Sequence, residues 1–394
     1  DWRGALTNPR MHLALALFRY FPFGGMQRDM LAIAQHAAER GHQVTIYCHT
    51  WQGARPDNIE VCVLNAAGRT NHSRARSFNR ALQGQLASRQ HEVVFGFDKM
   101  HGLDLYFAAD PCFVTRTAHR AWPYRLTPRY RTFRDLEGGV FAEGGAKQIL
   151  LLDGGAQHNY QATWGTEAAR FSCLPPGVAE DRRKGPDAAT LRAAGRAEFG
   201  IDDATTTLLL LAANFELKGL DRAIEAVAAL PAKQRARTRL LAFGQDAPKR
   251  LRQMVDGLGL ADQVTMLPGR SDVPKLLQAA DLLIHPARRD TTATVLLEAV
   301  AAGLPVVCTD VCGYAKHITK AGCGRVIPAP FSQDQLNEEL RDLLSSDLTG
   351  LQDAASAYSQ QQDLHGMHRY VCDLLESMGC DDAPAPSTGE TLKS

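Results

Sequence analysis

The chain has 394 residues, a formal net charge of +1, 45% hydrophobic residues and 22% charged residues. Near-neutral charge excludes binding of a polyanion through overall charge, and no apolar run approaches the roughly 18 residues of a membrane-spanning helix. The length exceeds what one hydrophobic core usually spans, so an enzyme-like globular protein of two domains is expected.

The first ten residues, DWRGALTNPR, have no apolar core and do not read as a signal peptide; they read as a short native extension or a cloning remnant. The strand His12–Phe18 follows, then a glycine-containing loop from Arg19 to Gly25 and a helix from Met26 to Arg40 stopped by Gly41. Val44–Cys48, Glu60–Leu64, Glu92–Gly96, Gln148–Leu152 and Phe171–Leu174 read as further strands, with a helix over Arg74–Ser88. Leu174-Pro175-Pro176-Gly177-Val178 breaks the alternation, and the aperiodic stretch Ala179–Asp187 reads as an interdomain linker.

The alternation then restarts. Strands are expected at Thr207–Ala212, Arg239–Phe243, Gln263–Leu267, Asp281–Ile284, Pro305–Cys308 and Gly324–Ile327. Helices are expected at Leu220–Leu230, Pro248–Leu258, Val273–Ala279, Gln333–Leu344 and Leu364–Met378. The implied organisation is an N-terminal domain over 11–178 and a second domain over 179–362. A helix over 363–380 packs back on the first domain, and 381–394 form a disordered polar tail. Both domains read as α/β, doubly wound around parallel sheets, which places a ligand in the cleft between them at the carboxyl ends of the strands. The nine cysteines have no C-x-x-C spacing and read as reduced thiols of a cytosolic protein, and the histidines do not cluster with them at metal-ligand spacing.

The most informative stretch is HPARRDTTATVLLEAVAAGLP, residues 285–305. A strand leads to Asp290, a polar turn Thr291-Thr292-Ala293-Thr294 follows, and an apolar helix carries Glu298 eight positions after Asp290. The helix start is an anion site through its free N–H groups and dipole, and the acids suit sugar and ribose hydroxyls. A nucleotide sugar satisfies both demands; an ordinary βα unit with two surface acids satisfies the spacing equally. Lys218, in NFELKGL after the first strand of the second domain, suits a diphosphate leaving group or is a solvated surface lysine. Gly24 and Gly25 let a backbone approach a ligand, flanked by Phe21 and Phe23, and Asp29 is placed in the first helical turn. Gly244-Gln245-Asp246 and Gly269-Arg270-Ser271-Asp272 end strands at the level of a base pocket. Asp98 and Asp110 stand at the level of acceptor hydroxyls, though Asp110 serves equally as a loop brace. Residues 113–134 hold six arginines and one histidine without an acid, interleaved with Phe113, Trp122, Tyr124, Tyr130 and Phe133. That pattern suits anionic headgroups at a membrane interface or phosphorylated sugar acceptors, and the balance of the chain argues against nucleic acid.

Together these residues resemble the retaining glycosyltransferases of the GT-B fold, family four, and within them the lipopolysaccharide core α-1,3-glucosyltransferases. The matching stretches include YFPFGGMQRD (20–29), DKMHGLDLYFAAD (98–110), YRLTPRYR (124–131), KGLDR (218–222), VLLEA (295–299), GLPV (303–306) and VCGYA (311–315), so the resemblance is nearly full length. It implies transfer of glucose from UDP-glucose to the second heptose of the lipopolysaccharide inner core, at the cytoplasmic face of the inner membrane, with residues 113–134 contacting the membrane. It implies no metal and no cofactor beyond the donor. Lys218 and the turn at Thr292 would stabilise the departing diphosphate, Glu298 would hold ribose, Asp290 the donor sugar, and Asp29 would lie near the reacting centre. Three departures fall around the donor: Asp290 where the family usually has Glu, Ala293 and Ala212 where it usually has Gly, and Leu217 where it has arginine or a polar residue. They motivate two other readings, the same fold with a different UDP-hexose and a saccharide- and membrane-binding protein without turnover.

Overall fold

The computed structural model describes residues 10–22, 24–152, 154–244 and 248–379. Phe23, Gln245, Asp246, most of the N-terminal extension and the tail of the sequence reading therefore lie outside the described residues. Two compact units emerge: one ends at Pro175 and resumes at Gly366, and the other runs from Pro176 to His365.

The first unit is built on a seven-stranded parallel sheet. Its strands lie in the spatial order Glu60–Val63, Gln43–Cys48, His12–Ala16, Val93–Gly96, Leu105–Ala108, Gln148–Leu151 and Phe171–Cys173. Chain order reverses between His12–Ala16 and Val93–Gly96, which is the doubly wound switch point. The strands are apolar at successive positions because both faces are covered: Leu13 and Leu15 join one core, and Ala14 and Ala16 the other. The helix Met367–Gly379 packs on Gly25–Glu39, burying Met367, Val371, Leu374 and Leu375 in the same core as Met30 and Ile33.

The second unit repeats the plan with six parallel strands, in the order Val264–Pro268, Thr238–Gly244, Thr206–Ala212, Leu282–His285, Val306–Thr309 and Gly324–Ile327. Leu209, Leu241 and Leu283 feed one core, and Leu208, Leu210, Leu240 and Leu282 the opposite one. The switch point lies between Thr206–Ala212 and Leu282–His285.

The structure departs from the sequence reading in a few elements. Arg19–Tyr20 is not loop but pairs in parallel with Thr50–Trp51, with Tyr20 stacked on Trp51 at 3.8 Å. The helix Ala188–Glu198 was hidden because its inner face is not apolar. Gly195 approaches Ala279 there, and buried Arg196 donates to the carbonyls of Asp202, Thr205 and Ala279 and to Asp281. The helix Thr349–Gln361, weakly apolar, was also absent from that reading. No helix among the described residues is long and apolar enough to cross a membrane.

Candidate active site

In the second unit the two switch-point strands each release a loop at their carboxyl end, and the loops are laced together. Arg288 donates its backbone N–H to Leu217 O at 2.9 Å and grips Asp221 with two bonds of 2.7 Å. Arg222 returns to the carbonyls of Pro286 and Ala287. Gly219, with φ +77°, brings its backbone so near Pro286 that a Cβ would stand 2.1 Å from the Pro286 carbonyl oxygen. This lacing sets Lys218 Nζ 2.6 Å from Asp290 Oδ2.

Asp290 is held on three sides. The same Oδ2 lies 2.9 Å from His285 Nε2, and Oδ1 accepts the Ala293 N–H at 3.1 Å. Burial alone would raise its carboxyl, but the His285 hydrogen bond and the charges of His285 and Lys218 prevail and hold it below the usual carboxylate range. Ala293 is the N-cap of the helix Thr294–Ala301 and offers no side-chain cap. It is 3% exposed and takes φ +57°, the one non-glycine residue at positive φ among those described. An alanine thus occupies the backbone geometry that glycine adopts without strain. Thr292 lies partly exposed and Thr291 exposed on the turn. Gly313 supports them from behind, where a Cβ would meet Thr291 O at 2.1 Å, and Tyr314 donates its N–H to Thr292 O. The VCGYA stretch is the buttress of the anion turn.

Glu298 is buried on the same helix, with Arg182 Nε 3.5 Å from Oε1. Arg182, on the turn Glu180–Arg182, was missed because the stretch is polar and aperiodic. Gly244 has a packing reason for being glycine: a Cβ would lie 2.0 Å from Ala212 O and against the Phe215 ring. Arg270, on the turn read as the edge of a base pocket, has its side chain in an ion-pair cluster. It is committed to Glu198 and to Asp272, which Lys275 also holds at 2.8 Å each.

In the first unit, the helix Gly25–Glu39 begins one residue before the expected start, so Asp29 lies in its second turn and the first turn carries no acid. Asp29 Oδ1 instead faces His368 Nε2 at 3.4 Å. A Cβ on Gly24 would overlap Gln27 and Phe21, whereas one on Gly25 would meet open space. Asp98 and Asp110 line one cavity of about 270 Å3 at the switch point, where Asp98 Oδ2 accepts the Phe18 N–H at 2.6 Å. Burial, opposed by that bond and reinforced by Asp110, pushes the Asp98 carboxyl up to about 6.

The basic segment is organised from beneath by Glu137, an acid that sequence reasoning passed over. It is 0% exposed and accepts from Phe113 N at 2.6 Å, Val114 N at 3.2 Å and Trp164 Nε1 at 3.2 Å, with Lys99 Nζ at 2.5 Å. The aromatics largely turn inward: Phe113 packs on Tyr130 and Phe133, and Tyr124 on Tyr130. Trp122 and Leu126 stand out at 72% and 53% exposure.

Residues 23–182 match the profile described as Glycosyltransferase Family 4, and residues 192–362 that of Glycosyl transferases group 1. Lipopolysaccharide glucosyltransferase WaaG of Escherichia coli (strain K12) is 40% identical over 368 residues, 93% of this chain and 98% of its own length. The chain belongs to the WaaG family of glycosyltransferases. The crystal structure of WaaG, a glycosyltransferase involved in lipopolysaccharide biosynthesis, superposes with a TM-score of 0.86, covering 92% of this chain and 99% of that one. A GT-B fold of two parallel-sheet units follows. Anabaena HepE, solved in complex with UDP-glucose, shares that fold at 18% identity, a TM-score of 0.71 and coverage of 93% of this chain and 100% of its own. Within this WaaG-family chain, His285, Asp290 and Cys312 bring three potential metal donors within 4.8 Å of one another. Lys218 and His285 already engage Asp290 Oδ2, so a divalent cation would have to displace the lysine from that oxygen.

Proposed function

We propose that the protein is a retaining hexosyltransferase that moves glucose from UDP-glucose to a heptose of the lipopolysaccharide inner core in an α-1,3 linkage. The observation that carries the reading is the Lys218–Asp290 pair beside an N-terminally uncapped helix, in a chain 40% identical to WaaG along 93% of its length. The diphosphate docks on the turn Thr291–Ala293, and Lys218 leaves Asp290 to neutralise charge building on the departing phosphate. Asp290, relieved of the lysine, accepts a hydroxyl of the donor sugar, and Glu298 with Arg182 supports the ribose. Attack comes from the face the diphosphate leaves, so no residue forms a covalent intermediate and the protein contributes position and charge. Asp29, steadied by His368, serves the acceptor side of the reaction with Asp98 and Asp110. The chemistry calls on neither a metal nor a cofactor.

The six arginines of 113–134, with Trp122 and Leu126 exposed among them, suit an anionic bilayer surface. This matches a lipid-linked acceptor at the cytoplasmic face of the inner membrane. A different UDP-hexose is the second reading, favoured by the shortened acid at 290 held back on His285. The test is product analysis by NMR after incubation with a panel of UDP-hexoses and a heptosylated core lacking glucose. An α-glucosyl heptose formed only with UDP-glucose is expected. Turnover with another hexose alone would replace the donor, and an inverted anomer would overturn the retaining route.

A further inference from the structure

The transfer chemistry uses Lys218 and Asp290 but gives no task to Cys312, whose thiol stands beside them. Its Sγ, a carboxylate oxygen of Asp290 and a ring nitrogen of His285 lie within 4.8 Å of one another. Cys312 is 2% exposed and His285 1%. A buried cysteine is ordinarily a small apolar group. This one instead borders a carboxylate and an imidazole, and its contact with Thr309 Oγ1 is long, at 3.8 Å.

Backbone pairing brings the three donors together. His285 ends the strand Leu282–His285, which runs parallel to Val306–Thr309 with His285 opposite Cys308. The loops leaving these two strands meet again in a parallel bridge between Asp290 and Cys312. Thr309 Oγ1 donates to Ala287 O at 2.8 Å, tying the second strand end to the first loop, and Cys312 N donates to Thr309 O at 3.2 Å. Donors set by paired strands are held in place before any ion arrives.

Sulfur, imidazole and carboxylate together are the donor set of zinc and its soft relatives, whereas magnesium and calcium take oxygens. Three protein ligands leave the fourth tetrahedral position open. Lys218 Nζ stands 2.6 Å from Asp290 Oδ2, and its side chain is 19% exposed against 13% for Asp290, so the ammonium has a way out to solvent. The exchange balances in charge. The Lys218 ammonium and the Cys312 thiol proton leave, and one dication enters between carboxylate and thiolate. His285, whose Nε2 now meets Asp290 Oδ2 at 2.9 Å, offers that nitrogen's lone pair by carrying its proton on the other ring nitrogen. One neutral buried cluster replaces another, which avoids leaving a buried charge unpaired.

We propose that His285, Asp290 and Cys312 form a binding site for a thiophilic divalent cation such as zinc, and that its occupation switches transfer off by withdrawing Asp290 from the donor sugar and from Lys218. The switch rests on the proposed glycosyl transfer; the binding of the ion does not.

The test titrates the full-length protein, stripped with EDTA and returned to buffer, with Co2+ and then with Zn2+ in competition, read by absorption. One cobalt per chain is expected, with a thiolate-to-cobalt charge-transfer band that zinc bleaches. Cys312→Ala is expected to lose the band and to weaken zinc by about a hundredfold or more, beyond the roughly 10–100-fold that loss of a ligand's hydrogen-bond partner costs. Cys173→Ala removes an exposed thiol and keeps the band. Lys218→Ala leaves all three donors in place and is expected to tighten zinc by about tenfold, the scale of a charge-assisted bond that no longer competes. It tests the site even where Cys312→Ala fails to fold, which circular dichroism reports. In transfer from UDP-glucose to heptosylated core, saturating zinc is expected to lower the rate by about 10²-fold, the scale of losing one group that stabilises developing charge. EDTA restores the rate, and Mg2+ at the same concentration leaves it unchanged. No charge-transfer band, a band kept in Cys312→Ala, or zinc affinity not raised by Lys218→Ala would overturn the site. Full transfer with zinc bound would overturn the switch. Absence of transfer by the ion-free protein counts against the proposed function, and the cobalt spectrum still decides the site.

Discussion

Ala293 shows most clearly how one residue sets the character of the site. A left-handed backbone costs an alanine about 1–2 kcal/mol, and glycine gives back part of that in lost chain entropy. Ala293→Gly is therefore expected to stabilise the protein by about 0.5–1 kcal/mol in chemical denaturation. A destabilised variant would show that the turn is not left-handed. The Ala for Gly difference was legible in the sequence; its consequence was not, because the residue type alone does not say which backbone conformation it adopts. The structure keeps the glycine-like backbone and points the extra methyl into a buried position. Asp98 carries a pH prediction. Its folded carboxyl titrates at about 6, above its ordinary value, so the native state binds the proton more tightly than the unfolded chain. Its contribution is fully present below the unfolded value and is lost as pH rises through about 6. Asp98→Asn is expected to gain stability relative to the wild type at neutral pH and not at pH near 4, read from denaturation midpoints across that window. An unchanged difference at both ends would contradict the burial of this carboxyl.

Two loops and one helix start make the donor-side geometry at the level of elements. The acid pair at 290 and 298 was legible because spacing and a following apolar run survive in one dimension. The lacing was not: Arg288, on a loop, and Asp221 and Arg222, in the first turn of the helix Leu220–Ala228, are distant in sequence from their partners, and such charged residues read as solvated until the fold brings their partners near. His285 closes the strand Leu282–His285, one residue beyond the expected end at Ile284, and nothing in the sequence signals that its ring reaches Asp290. Gly313→Ala is expected to push Thr291 away and raise KM for the donor about tenfold or more, while thermal stability falls by about 1–3 kcal/mol of overpacking. Steady-state kinetics with calorimetry of UDP binding checks this. An unaltered donor KM would mean that the turn does not carry the diphosphate.

For the whole molecule, the alternating strands and helices made the two doubly wound sheets readable from periodicity alone, since parallel strands covered on both faces are continuously apolar. The polar interior was less readable. Glu137, three residues beyond the basic, aromatic segment, looks like a surface acid, yet it ties the Phe113 turn, Lys99 and Trp164 together inside the first unit. Glu137→Gln leaves Lys99 without its counter-charge and is expected to cost about 3 kcal/mol, destabilising the first unit. Limited proteolysis should then cut within 113–134 sooner than in the wild type; an unchanged cleavage pattern would refute the anchoring role. The basic segment read as an interleaved aromatic face, but most of those rings serve the core and leave Trp122 and Leu126 as the outward apolar groups.

The most direct test of the central claim compares UDP release from UDP-glucose, with heptosylated core as acceptor, for the wild type and Lys218→Ala. The account predicts glucose-dependent release by the wild type and a loss of about 10²–10³ in kcat in the variant, the scale expected for removing a group that stabilises developing charge. Undiminished release from Lys218→Ala, or no release by the wild type with any UDP-hexose despite bound UDP, would contradict it.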